Sequence, residues 1–230
     1  MLSGFSSPFK AGRAKAPVAA PSGTGGSMLF AGTTSSNLSI PNDVDLRFGT
    51  GDFTIEWWQW QTDNNAAPRI FSIGTYPTAS IGVAIEGGTL YFWAGGANSI
   101  GTVSLKNAWH HVAITRNGTS LRVFIDGTQL GTTKTSSTNF SNTTTALRIG
   151  NETTTSALAS FGGYITNFHW VKGTAKYTAN FTPSTAPLTA DANSKLLLKA
   201  TDSGSLVTDS SGVGKTVTNN SVTWNSKTPF

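Results

Sequence analysis

The sequence predicts an all-β fold, an antiparallel β-sandwich with an extended N-terminal arm, and three observations carry that expectation. The stretch from Trp109 to Leu130 reads as three short strands, with Val112 and Ile114 on one face and Leu121, Val123 and Ile125 likewise sharing a face. Its two breaks, Asn117-Gly118 and Asp126-Gly127, are dipeptides that tolerate the positive φ of tight hairpins. The chain is also rich in Thr, Ser, Gly and Asn, places glutamate only at positions 56, 86 and 152, and has no long Ala- or Leu-rich run to favour helix. A length of 230 residues suits one large sandwich with a sizeable core.

The elements follow in chain order. Residues 1–27 are rich in Gly, Ser, Ala and Pro without a sustained period, and Pro17, Pro21 and Gly23–Gly26 read as linker, so the domain is expected over 28–230. Ser27–Phe30 opens it as a strand, and Asn37–Ile40 follows before Pro41. Phe53–Gln61 is the strongest aromatic strand, with Phe53, Ile55 and Trp57 on one face and Thr54, Glu56, Trp58 and Trp60 on the other. Further strands are expected at Arg69–Gly74, Ile81–Ile85, Leu90–Trp93, Thr102–Leu105, Trp109–Thr115, Leu121–Ile125, Leu147–Gly150 and Tyr164–Val171. Gly87-Gly88 and Gly95-Gly96 separate several of them, and the Thr/Ser-rich stretches 132–145 and 153–160 read as exposed loops. Beyond Val171 come a connection over 172–183, a strand at Lys195–Ala200, a turn at Asp209–Gly212, and short strands near Thr216–Thr218 and Val222–Trp224.

Composition narrows the function classes. Without cysteine, neither a disulfide framework nor a thiolate metal site is available. The opening residues lack the continuous apolar core of a secretion signal, and no run approaches the ~18 apolar residues of a membrane span. The formal net charge of +5 is modest, and three of its cations, Lys10, Arg13 and Lys15, precede the first acidic residue, Asp43. Three charges without interleaved aromatics do not point to nucleic acid. Together with the apolar Phe5 and Phe9 they suit an arm that anchors the chain to a partner; a solvated tail is the alternative.

The order of motifs over roughly 28–226 resembles the laminin G-like, or concanavalin A-like, jelly-roll family. The resemblance rests on Met28-Leu29-Phe30, the run Asp52–Trp58, the Trp109–Leu130 meander, Phe161–Phe168, the Asp209–Gly212 turn and the terminal Val222-Thr223-Trp224. It implies that the last strands return beside the first and that Trp109, Trp170 and Trp224 pack. The first 27 residues lie outside the family pattern.

Hydrolysis of a glycosidic bond generally needs two carboxylates about 5–10 Å apart, and no Glu-x-Asp or Asp-x-x-Glu spacing supplies them, so no catalytic residue is assigned. His110 and His111, adjacent on a strand, point to opposite faces and are expected to pack and hydrogen-bond, as is His169. No cofactor is expected and no metal ligand is assigned. Calcium is the alternative left open, because many members of the family bind it, and Asp43, Asp45 and Asp52 cluster near one end. Asp126 and Asp209 are expected to cap turns instead. Seven tryptophans are many for this length, and Trp58 and Trp60, with Glu56, are the expected contact face, either for a glycan or for a covering loop, arm or subunit.

The expectation that follows is a non-enzymatic virion structural protein on the exposed virion surface, as a capsid decoration, fibre or tail-associated adhesin. It would be anchored to other virion proteins through Phe5, Phe9, Lys10, Arg13 and Lys15. Similar stand-alone domains occur in tailed phages and large DNA viruses. The alternative is a soluble glycan-binding, lectin-like module directed at cell-surface sugars. A homo-oligomer is compatible with either.

Overall fold

A computed structural model describes residues 25–62, 65–75, 81–94, 96–141, 144–152 and 157–230. The arm residues Phe5, Phe9, Lys10, Arg13 and Lys15 lie outside them. Fifteen strands form among the described residues: β1 (Ser27–Ala31), β2 (Asn37–Ile40), β3 (Phe53–Gln61), β4 (Arg69–Ile73), β5 (Ile81–Glu86), β6 (Thr89–Trp93), β7 (Ala97–Thr102), β8 (His110–Asn117), β9 (Ser120–Ile125), β10 (Thr128–Thr135), β11 (Leu147–Ile149), β12 (Gly162–Lys172), β13 (Ser194–Leu198), β14 (Thr218–Asn220) and β15 (Thr223–Asn225). One sheet runs β10-β9-β8-β3-β12-β1-β15, with β13 also paired to β12; the other runs β14-β2-β11-β4-β5-β6-β7. The strands pair antiparallel throughout both sheets, and the last two, β14 and β15, return beside β2 and β1.

Alternation on each strand builds the core between the sheets. Phe53, Ile55 and Trp57 of β3 meet Leu38 and Ile40 of β2, Val83 of β5 and Leu147 and Ile149 of β11 in one buried cluster. Phe48, on the loop before β3, stacks between Phe53 (4.2 Å) and Trp170 (4.6 Å). The sandwich expected from the sequence is therefore the one observed.

The meander differs in detail. Asp126 and Gly127 both take positive φ, as a two-residue I′ turn requires, but the first turn is carried by Gly118-Thr119, with Asn117 still paired to Ser120. Its third strand, β10, runs on to Thr135 through a register shift after Leu130, where a Thr-rich loop was expected; β-branched threonine suits an edge strand. The strand expected at Thr102–Leu105 is displaced to Ala97–Thr102, because Gly96 closes a hairpin that pairs Trp93 with Ala97. Residues 103–105 then leave the sheet.

Arg116, at the end of β8, is buried and gathers the surrounding loops. Its guanidinium donates to the carbonyls of Gly49 (2.8 Å), Gly51 (2.6 and 3.0 Å) and Thr138 (2.6 Å) and lies over Phe53 and Phe140. Removing it takes the guanidinium donors from the Gly51 and Thr138 carbonyls and leaves Gly49 only the Phe140 amide. Arg116→Met is expected to cost about 3 kcal/mol, read as a lower urea midpoint, with Arg116→Lys recovering less than half. An unchanged midpoint in the Met variant would contradict this role.

Candidate functional site

The outer face of β3 carries Thr54, Glu56, Trp58 and Trp60, and pairing decides what surrounds them. β8 places His111 opposite Trp58, and β12 places His169 opposite Glu56. The latter depends on an irregularity between Thr166 and His169, where Asn167 takes positive φ. That extra residue turns Phe168 into the core and brings His169 to the outer face.

The connection 173–183 then closes over this face. Thr54 donates to the Thr174 carbonyl (2.9 Å) and accepts from the Lys176 amide (2.9 Å), while Thr115 donates to the Tyr177 carbonyl (2.8 Å). Tyr177 and Phe181 stack at 3.6 Å and abut Phe124 and His111 edge-on. The Phe181 amide donates to the carbonyl of Gly127 (2.9 Å) in the I′ turn. A Cβ at Gly127 would stand 1.9 Å from the Phe181 carbonyl oxygen, so glycine is required here for contact as well as for φ.

Beneath this strap Glu56 is wholly buried. Its carboxylate accepts from Lys176 Nζ (2.8 Å) and Tyr177 OH (2.7 Å), and contacts His169 Nδ1 (3.1 Å) and His111 Nε2 (3.3 Å). His169 Nε2 faces Ser194 Oγ at 2.7 Å, and His111 Nδ1 is buried without a hydrogen-bond partner. An ionised carboxylate only accepts, so a hydrogen stands on His111 Nε2 and on His169 Nδ1 where each meets Glu56. Burial pushes the Glu56 carboxyl up, but hydrogen bonds from His111 and His169 and the Lys176 ammonium outweigh it and hold it well below the usual carboxylate range. Burial, then the Glu56 charge, raises the Tyr177 phenol.

The Ser194–His169–Glu56 order has the form of a hydrolytic relay, but the site is closed to substrate. All three residues are buried, and the Ser194 hydroxyl already accepts from the Asp191 amide (2.9 Å).

Glu56, expected on an open contact face, is thus withdrawn from it, because the chain's own strap covers it. Trp58 is half-buried against His111 (5.2 Å) and Phe230 (5.7 Å). Trp60 forms a half-buried aromatic surface with Trp109 and Tyr164, and Lys227 Nζ sits 3.3 Å from the Trp60 ring centre. Among the calcium candidates, Asp43 and Asp45 share the Lys215 ammonium at 2.6 Å each, while Asp52 accepts from the Gly118 amide and the Asn117 side chain. The three do not converge on one ion site. Asp209 caps its turn through the Ser211 and Lys215 amides, whereas the Asp126 carboxylate reaches across to β8, accepting from the His111 amide (2.9 Å) and holding His110 Nδ1 at 2.8 Å.

A cleft of about 660 Å³ opens where β3 ends. Gln61, Asn65, Thr102, Ser104 and Lys106 supply its polar lining, over apolar Ile85, Val103 and Leu105. Among the described residues no carboxylate lines it. Glu86, beside its Gly87-Gly88 turn, instead meets Arg69 at 2.6 Å, and Glu152 approaches the same guanidinium at 3.6 Å. The cleft adjoins the aromatic surface through the backbone: Gln61 follows Trp60 and exchanges hydrogen bonds with Leu105 and Asn107, two residues before Trp109.

Sequence reasoning did not find the Glu56 cluster. The available signal was an acidic residue within an aromatic-rich strand, together with Tyr177 and Phe181 in a polar connection.

A family model described as the concanavalin A-like lectin/glucanases superfamily, Laminin_G_3, matches residues 32–179, which include every member of the cluster except Ser194. No curated protein matches the sequence significantly. Among solved structures, a candidate carbohydrate binding protein from Bacteroides ovatus superposes with a TM-score of 0.66 at 16% identity, covering 88% of this chain and 60% of that one. The full extracellular region of zebrafish Gpr126/Adgrg6 superposes with a TM-score of 0.60 at 13% identity, covering 90% of this chain and 27% of that one. The chain therefore spans less than two thirds of either protein, and at these identities the likeness is one of fold.

The depressed Glu56 pKa fixes the sign of an acid effect. Its contribution to stability is complete above the ordinary carboxylate range and is lost as pH falls through that range toward the folded value. Glu56→Gln is expected to cost about 3 kcal/mol at pH 7 and to lose less further stability than wild type between pH 7 and pH 3. Denaturant titrations at stepped pH check this; parallel pH profiles would contradict it.

Proposed function

The chain belongs to the concanavalin A-like lectin/glucanases superfamily, and we propose on that footing that it is a non-enzymatic, lectin-like glycan-binding module. The rim cleft carries the reading. It offers amide, hydroxyl and ammonium groups over an apolar floor, with half-buried aromatic rings alongside, which suits a sugar's hydroxyls and C–H faces. The similarity of fold to the candidate carbohydrate binding protein of Bacteroides ovatus supports the same class.

The glutamates argue against hydrolysis. Each of the three glutamates is engaged elsewhere: Glu56 beneath the strap, and Glu86 and Glu152 on Arg69. A glycosidase general acid needs a carboxyl held protonated, whereas Glu56 is held ionised.

A glycan array on the intact chain, with and without calcium, is expected to give selective binding. Trp109→Ala and the cleft-filling Ser104→Trp should each weaken it about tenfold or more, with thermal unfolding little changed. An empty array, equal binding by both variants, or release of reducing ends would overturn the proposal.

Display on a virion is compatible with glycan binding and rests on the basic and apolar residues of the arm, Phe5, Phe9, Lys10, Arg13 and Lys15. Deleting 1–27 should abolish incorporation into particles while leaving the domain folded. Unchanged incorporation would remove the anchoring role.

A further inference from the structure

The second concavity of the molecule lies on the outer face of the other sheet, where β14, β2 and β11 run side by side. It has a volume of about 490 Å³ and is lined by Ser35, Asn37, Arg148, Asn219, Asn220 and Ser221. Alternation puts Leu147 and Ile149 in the core and turns Arg148 outward, half-buried between its neighbours.

An inventory of donors and acceptors shows what is left over. Asn37 Oδ1 accepts from Asn220 Nδ2 (3.0 Å) and, at long range, from Arg148 Nη1 (3.5 Å), while Asn37 Nδ2 donates to the Thr34 carbonyl. Asn219 spends both ends of its amide on the backbone of Val222. Asn37 and Asn219 are thereby fixed in orientation, each with one amide N–H left over. Among the described residues no carboxylate lies within ion-pair distance of Arg148, and no carboxylate lines the pocket. Arg148 has five N–H donors and commits one, weakly; Asn220 keeps one amide N–H, and two serine hydroxyls border the same space.

We infer that this pocket is an oxyanion site, with Arg148 as the charged fork and Asn220 as the neutral donor, for a sulfate or phosphate group. The planar guanidinium matches two oxygens of such a group at once, and the carboxylate-free lining leaves its charge uncompensated until an anion arrives. The group can be a free inorganic ion or an ester on a saccharide; the chemistry that holds it is shared. The site lies on the opposite sheet from the Glu56 strap and shares no lining residue with the rim cleft, so it stands independently of the glycan reading.

The test is a titration of the isotopically labelled full chain followed by NMR, at constant ionic strength maintained with chloride. The probes are sodium sulfate, sodium phosphate, galactose 6-sulfate and galactose. Saturable shifts at the Asn220 side-chain amide and the Ser221 backbone amide are expected with the first three and not with galactose. Arg148→Ala should weaken them at least about tenfold and Arg148→Lys by a smaller factor, with unchanged melting temperatures. Tighter binding of galactose 6-sulfate than of sulfate would identify the ester as the source, and equal binding the free ion; each supports the site. Absent or non-saturable shifts, or the same affinity in Arg148→Ala, would overturn it.

Discussion

A single buried carboxylate organises the outer face of the larger sheet. Glu56 has no access to water, and an ion in that position is tolerable only when donors replace its hydration. Four groups do so: one from β8, one from β12, and two from the strap that lies across the sheet. Those donors, with the Thr54, Thr115 and Gly127 hydrogen bonds and the Tyr177 and Phe181 ring contacts, hold residues 173–183 on the sheet. The same closure makes β3 buried on both faces, although an antiparallel strand of this kind commonly leaves one face wet.

The closure has a consequence for function. With the strap in place, Glu56 and His169 at the middle of the outer face are closed off, while Trp60, Trp109 and Tyr164 toward its end keep partial exposure. The cleft proposed for ligand binding lies instead at the rim, where residues 103–105 have left the sheet. The fold has spent its glutamates on structure, as the strap cluster and the doubly engaged Arg69 show. The described lining of the rim cleft is hydroxyl, amide and cationic over an apolar floor.

Local periodicity made the scaffold legible. The alternation of Phe53, Ile55 and Trp57, the Asp126-Gly127 turn and the Asp209 cap are each decided by neighbours in sequence, and each is where it was expected. The site was less legible because its contacts are long-range: Glu56 meets partners 55, 113, 120 and 121 positions away. The orientation of His169 further depends on an extra residue in β12 that alternation alone does not reveal. Strand β7 was displaced for a different reason, since Ala97-Asn98-Ser99 has little strand propensity and is held by its pairing with β6.

The central claim is that the Glu56-anchored strap closes the sheet face and leaves ligand recognition to the rim. The most direct test is chemical-shift mapping of the full chain with the saccharide most strongly retained on the array. Perturbations should gather at Gln61, residues 102–106 and the Trp109 indole, while the amides of 174–181 stay unmoved. Perturbations centred on 174–181, with the rim silent, would contradict the account.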